Sequence, residues 1–139
     1  MSFLSNTLIL LSETKTCEWG VLMQSLELAK RIIELADERK AQDPLMLDLR
    51  DLTIVTDYFV LLTGTSRPHV LGIADNIREE LAETGINPEQ REVDRDAHWL
   101  LLDYGGVVVH IFQAETRLFY SLERLWNDAK QVPLDDLLC

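Results

Sequence analysis

The sequence predicts a mixed α/β fold, with about five strands in one sheet and three main helices. Three observations lead there. The run His98–Gln113, HWLLLDYGGVVVHIFQ, reads as two strands joined at Gly105-Gly106, and tight hairpin turns need the positive φ that glycine reaches without steric cost. Three other stretches carry apolar residues at helical spacing. A strand, a helix and a strand from Tyr58 to Val93 demand a right-handed parallel crossover, whereas the hairpin is antiparallel, so the sheet is mixed.

Taken in order, residues 1–21 show no sustained periodicity and read as a leader, either a poorly ordered extension or an upstream start. Residues 22–130 form the domain and 131–139 a short tail. Leu22, Leu26, Ala29, Ile33 and Ala36 open a helical stripe that Leu28, Ile32 and Leu35 widen. This helix should end near Arg39-Lys40, cations that suit the negative end of its dipole. Leu45–Arg50 alternates as a strand, with Leu45, Leu47 and Leu49 on one side and Met46, Asp48 and Arg50 on the other. The link Asp51–Thr56 is too short for a helical crossover, so the next strand runs antiparallel. That strand, Tyr58–Thr63, is continuously apolar and hence central.

Thr63-Gly64-Thr65-Ser66 then turns into a helix with Val70, Ile73, Ala74, Ile77 and Leu81 on one face. Ser66 is a good N-cap, and Pro68 is tolerated in a first turn whose N–H groups lack partners anyway. Gly85 ends this helix and Pro88 prevents its continuation. A weaker strand follows at Gln90–Val93, and Thr116–Asp128 is the last helix. In the hairpin, Tyr104 should pair with Val107. One face then carries Leu100, Leu102, Tyr104, Val107, Val109 and Ile111, which must be core; the other carries Trp99, Leu101, Asp103, Val108, His110 and Phe112. The second face mixes aromatics with a carboxylate and an imidazole, for which a purely structural strand has little use.

A chain of 139 residues, 47% hydrophobic and 27% charged, is one ordinary globular domain. No apolar run is long enough to span a bilayer, and Phe3–Leu11 lacks the basic flank and cleavage site of a signal peptide. Cys17 and Cys139 form no metal or disulfide spacing, so a reducing cytoplasmic setting is the default. The formal net charge of −11 disfavours nucleic acid as the main ligand and suits a basic protein partner, unless it serves solubility alone.

Catalysis finds little support. Thr63–Ser66 has the place of an anion-binding turn but not the glycine and lysine spacing of a phosphate loop, and a serine-capped structural turn is the preferred reading. Asp94 and Asp96, and likewise Asp48 and Asp51, read as solvated charges rather than a magnesium-holding pair. No serine elbow or cysteine–histidine spacing is present, and no metal or cofactor is expected. Asp103 and His110 sit diagonally on one hairpin face; binding ranks first for them, a polar latch second and acid–base chemistry third. Trp99 and Phe112 oppose each other there, either buried under a helix or presented as partner anchors. An enzyme of nucleotidyl- or phosphoryl-transferring type, using the Thr63–Ser66 turn, stays open as the alternative.

The segments TDYFV (56–60), TGTS (63–66), IADN (73–76), WLLLDYG (99–105), VVVHIF (107–112) and LERLW (122–126), in this order and at compatible spacing, resemble the ribosomal silencing factor or Iojap family over residues 23–128. The resemblance implies a nucleotidyltransferase-like core without catalytic carboxylates, and no enzymatic activity. It further implies binding to the large ribosomal subunit at the protein numbered fourteenth there, on the intersubunit face. Such binding would block subunit joining and repress translation when nutrients are scarce. A homodimer when free is compatible with it. By position, Trp99, Asp103, Tyr104 and His110 become candidate partner contacts, with Thr63, Gly64, Thr65, Ser66 and His69 a structural or anion-binding turn. Arg67-Pro68 and Val93-Asp94 depart from the family's serine-arginine and glutamate-glycine pairs.

Overall fold

A computed structural model describes residues 25–120 and 129–134. The elements run α1 (Ser25–Glu38), β1 (Gln42–Asp48), β2 (Tyr58–Gly64), α2 (Arg67–Ala82), β3 (Gln90–Val93), β4 (Trp99–Asp103), β5 (Val107–Gln113), α3 (Ala114–Tyr120) and β6 (Lys130–Gln131). They form a single mixed sheet in the order β3-β4-β5-β2-β1-β6, flanked by three helices. The sheet thus has six strands rather than the five expected. The sixth is two residues long, pairing Gln131 with Leu47 and Lys130 with Asp48, and so short a strand leaves no alternation to read. Beyond it, Val132 and Leu134 pack against the core.

Burial explains the pairing. β2 is apolar on both faces and lies between β1, antiparallel, and β5, parallel. β3 runs parallel to β2, as a crossover through α2 requires, but with β4 and β5 between them, at the sheet edge, where all four of its residues are exposed. Its charged sequence, QREV, suits an edge that must not recruit another strand. β1 begins three residues before the strand read from alternation, because an irregularity between Gln42 and Leu45 breaks the pattern, with Asp43 at φ 48°. The last helix begins at Ala114; the part of the expected helix beyond Tyr120, and the leader, lie outside the described residues.

Two cores result. α1 and α2 pack on each other and on one sheet face, where Leu28, Ile32, Ile33, Ile73 and Ile77 meet Val60, Leu62, Leu100, Val109 and Ile111. Among the described residues, the stripe residues of both helices are buried as their spacing demands, except for Leu26, which is partly buried; Leu22, with which the stripe was expected to open, lies outside them. Asn76, buried on α2, donates through Nδ2 to the Leu35 carbonyl at 2.9 Å and to Glu38 Oε1 at 3.1 Å. It thereby satisfies a carbonyl that the end of α1 leaves without an intrahelical partner. The opposite face holds a smaller cluster of Leu47, Leu49, Leu61 and Phe112, with Leu45, Phe59, Trp99 and Ala129 partly buried beside it.

Candidate functional site

The hairpin closes in the predicted register. Trp99 faces Phe112, Leu101 faces His110, and Asp103 faces Val108, while the Tyr104 N–H donates to the Val107 carbonyl at 2.9 Å. Gly105 alone of the glycine pair takes positive φ, 87°, and its N–H donates to Asp103 Oδ1 at 2.8 Å. Asp103 therefore fastens the turn of its own hairpin.

Side chains on the second face line up in rows across the sheet. One row runs Leu101, His110, Leu61, Leu45; the next, toward the hairpin tip, runs Asp103, Val108, Phe59, Leu47. His110 is almost wholly buried (4% exposed) at the centre of an aromatic cluster, its ring 4.7 Å from Phe59, 5.8 Å from Trp99 and 6.1 Å from Phe112 between centroids. Trp99 Nε1–H donates to His110 Nδ1 at 3.1 Å. That bond puts the ring hydrogen on Nε2, which is buried without a hydrogen-bond partner among the described residues. Burial pushes the His110 pKa down to about 4. Asp103 and His110, expected as diagonal neighbours, thus have different partners: Asp103 serves the turn and His110 the indole.

The other candidates separate in the same way. Trp99 is half-buried, whereas Phe112 opposite is fully buried, so the two anchors expected together divide between surface and core. Tyr104 is 9% exposed and belongs to the main core; burial pushes its hydroxyl up to about 12, with Arg78 pulling weakly the other way. The hairpin tip does not lift it out, because the core-face parity of β4 continues into the turn. Phe59 joins the cluster unforeseen. An unbroken apolar strand hides which side chains share a face, and only the pairing of Phe59 with Val108 reveals it.

At the turn after β2, the Thr65 N–H donates to His69 Nδ1 at 2.9 Å, and His69 Nε2 donates to the Arg39 carbonyl at 2.7 Å. Ser66 Oγ accepts the His69 N–H at 3.3 Å as N-cap. A Cβ on Gly64 would lie 2.8 Å from Val70 Cγ2. Thr63 Oγ1 accepts from Arg117 Nη1 at 2.8 Å. The Thr65 N–H, which an anion would need, is already used within the fold, and His69 spends both ring nitrogens tying the turn to the end of α1.

The carboxylates also have local partners. Arg50 grips Asp48 with two bonds of 3.0 and 2.8 Å and holds its carboxyl below the usual value. Partial burial raises Asp94, but bonds from the Trp99 and His98 N–H groups and the His98 ring outweigh it and leave the carboxyl lowered. Among the described residues, no group of three or more His, Cys, Asp or Glu is placed to hold a metal ion. A groove of about 730 Å³ opens beside Trp99, between Glu92, Asp94, His98, Leu101 and Glu115. Its acid-lined, aromatic wall suits a cationic side chain.

The family model described as ribosomal silencing factor during starvation matches residues 23–138. The chain is 39% identical over 110 residues to the ribosomal silencing factor RsfS of Bacillus subtilis, covering 76% of this chain and 93% of that protein. It is 33% identical over 116 residues to RsfS of Halalkalibacterium halodurans, covering 84% and 99%. A crystal structure of a Chromobacterium violaceum protein superposes with a TM-score of 0.73 at 32% identity, covering 80% of this chain and 91% of that one.

Proposed function

The chain belongs to the ribosomal silencing factor family, regulators rather than enzymes, and from that premise we propose how it silences. The domain binds the large ribosomal subunit on its intersubunit face, at the protein numbered fourteenth there, and so blocks joining to the small subunit. Translation falls when nutrients are limiting. The protein acts in the cytoplasm and pairs with itself when free, and its core is of the nucleotidyltransferase-like type without the catalytic carboxylates.

One observation supports this reading above others: the second sheet face. Its rows bring half-buried Trp99, Leu101 and Asp103 together on a hairpin whose register and turn are fully bonded, next to an acid-lined groove. Such a face is preorganised to meet a partner, since little side-chain freedom remains to be lost. A net charge of −11 favours encounter with the basic surface typical of ribosomal proteins. Within this reading Trp99 and Asp103 touch the partner, while Tyr104 and His110 hold the surface from behind.

Co-sedimentation with purified large subunits at low salt tests it. Wild-type protein should pellet with large subunits, and Trp99→Ala should bind about tenfold or more weakly while keeping its helical circular dichroism. Failure of the wild type to pellet would sink the reading. Loss of fold in Trp99→Ala would instead make the indole a core residue.

A further inference from the structure

We propose that the tip of the β1–β2 loop, Ile54 and Val55, is a second anchor that inserts into an apolar pocket of the same basic ribosomal partner. This rests on the ribosome-binding reading above. Four large apolar side chains are exposed among the described residues, Leu52, Ile54, Val55 and Val93, and the first three belong to this one loop. Ile54 is 102% exposed and Val55 82%, while Leu49 at the start of the same segment is fully buried. Access to the core is therefore available to the segment and is not used by its tip.

The loop is also held in shape. The Leu49 N–H donates to the Asp57 carbonyl at 2.8 Å, closing its stem, and the Leu52 and Thr53 N–H groups both reach the Leu49 carbonyl. The Val55 N–H donates to Thr53 Oγ1 at 3.1 Å. Ser25 Oγ donates to Asp57 Oδ2 at 2.7 Å, bracing the stem from α1. A floppy loop would scatter its side chains; this one presents two stiff β-branched groups in a fixed place.

Position identifies the occupant. The Asp57 and Tyr58 N–H groups both donate to the Gly106 carbonyl, at 2.9 and 3.1 Å. The loop stem is thus bonded to the hairpin turn that Asp103 fastens, and the apolar tip continues the surface assigned to the partner. Exposed Asp51, in the same loop, lies 3.9 Å from Lys130 Nζ, so charges of both signs surround the tip and its apolar groups carry the contact.

The test compares wild type, Trp99→Ala, an Ile54→Ser/Val55→Ser double variant and an Ile54→Leu/Val55→Ile double variant. Each is measured by large-subunit co-sedimentation, thermal melting and sizing of the free protein. The serine variant should bind about tenfold more weakly with unchanged melting and unchanged size, and the leucine/isoleucine variant should bind within about twofold of wild type. Wild-type affinity in the serine variant, with Trp99→Ala still weakened, overturns the loop anchor and leaves ribosome binding standing. A change of oligomeric size with unchanged ribosome affinity assigns the tip to a second copy and also overturns it. If wild type does not bind large subunits, both readings fall together.

Discussion

Acid should weaken this fold through one residue. His110 in the folded protein titrates at about 4, against 6.5 for an unhindered imidazole, because the ring lies buried among Phe59, Trp99 and Phe112. The unfolded chain thus takes up a proton that the folded chain refuses. His110 costs nothing at pH 7, and stability is lost as the pH falls from 6.5 toward 4. Each pKa unit corresponds to about 1.4 kcal/mol, so the full window amounts to about 3 kcal/mol, most of it between pH 7 and 4.5. Geometry adds to desolvation, since a protonated ring would point an N–H at the N–H of Trp99 Nε1, 3.1 Å away.

Urea denaturation at pH 7 and 4.5, followed by circular dichroism, measures the loss. Carboxylates such as Asp48 and Asp94, whose pKa values are lowered in the fold, lose stability over lower pH values and contribute to both proteins of a pair. His110→Leu removes only the imidazole. Wild type should therefore lose about 2–3 kcal/mol more than His110→Leu between the two pH values. Parallel losses in the two proteins would refute the reasoning and show the ring to be accessible to solvent.

Other perturbations follow from single contacts. Gly64→Ala places a methyl 2.8 Å from Val70 Cγ2 and 3.1 Å from its nitrogen, and Val70 is fully buried, so thermal melting should show a loss of about 1–3 kcal/mol. Asn76→Leu leaves the Leu35 carbonyl without its side-chain donor; denaturation should show about 1–3 kcal/mol of destabilisation, and hydrogen exchange should rise at the end of α1.

Much of the architecture was legible in the sequence because it depends on local chemistry. Ser66 and Pro68 announce the start of α2, Gly85 its end, and the glycine pair the hairpin with its register and both faces. The pairing of β1 with β2 followed from the length of their link. Strand β6 escaped, having too few residues to display a period, and so did the start of β1, where an irregularity breaks the alternation.

The candidate site divides along the same line. Sequence alone determined which residues of the hairpin share the second face, since parity along its two strands decides that. It could not determine their exposure or their partners. Trp99 and Phe112 have equivalent places in the pattern, yet one is half-exposed and the other buried; Asp103 and His110 look like a pair, yet bond elsewhere. The bonds are made within the hairpin itself, Asp103 to Gly105 and His110 to Trp99, while the burial depends on what β2 and β1 bring against it. The exposure of Ile54 and Val55 is likewise a tertiary fact, because an apolar pair in a loop reads the same whether it folds inward or out. Alternation sorted the faces, and only packing decided which of their members meet another molecule.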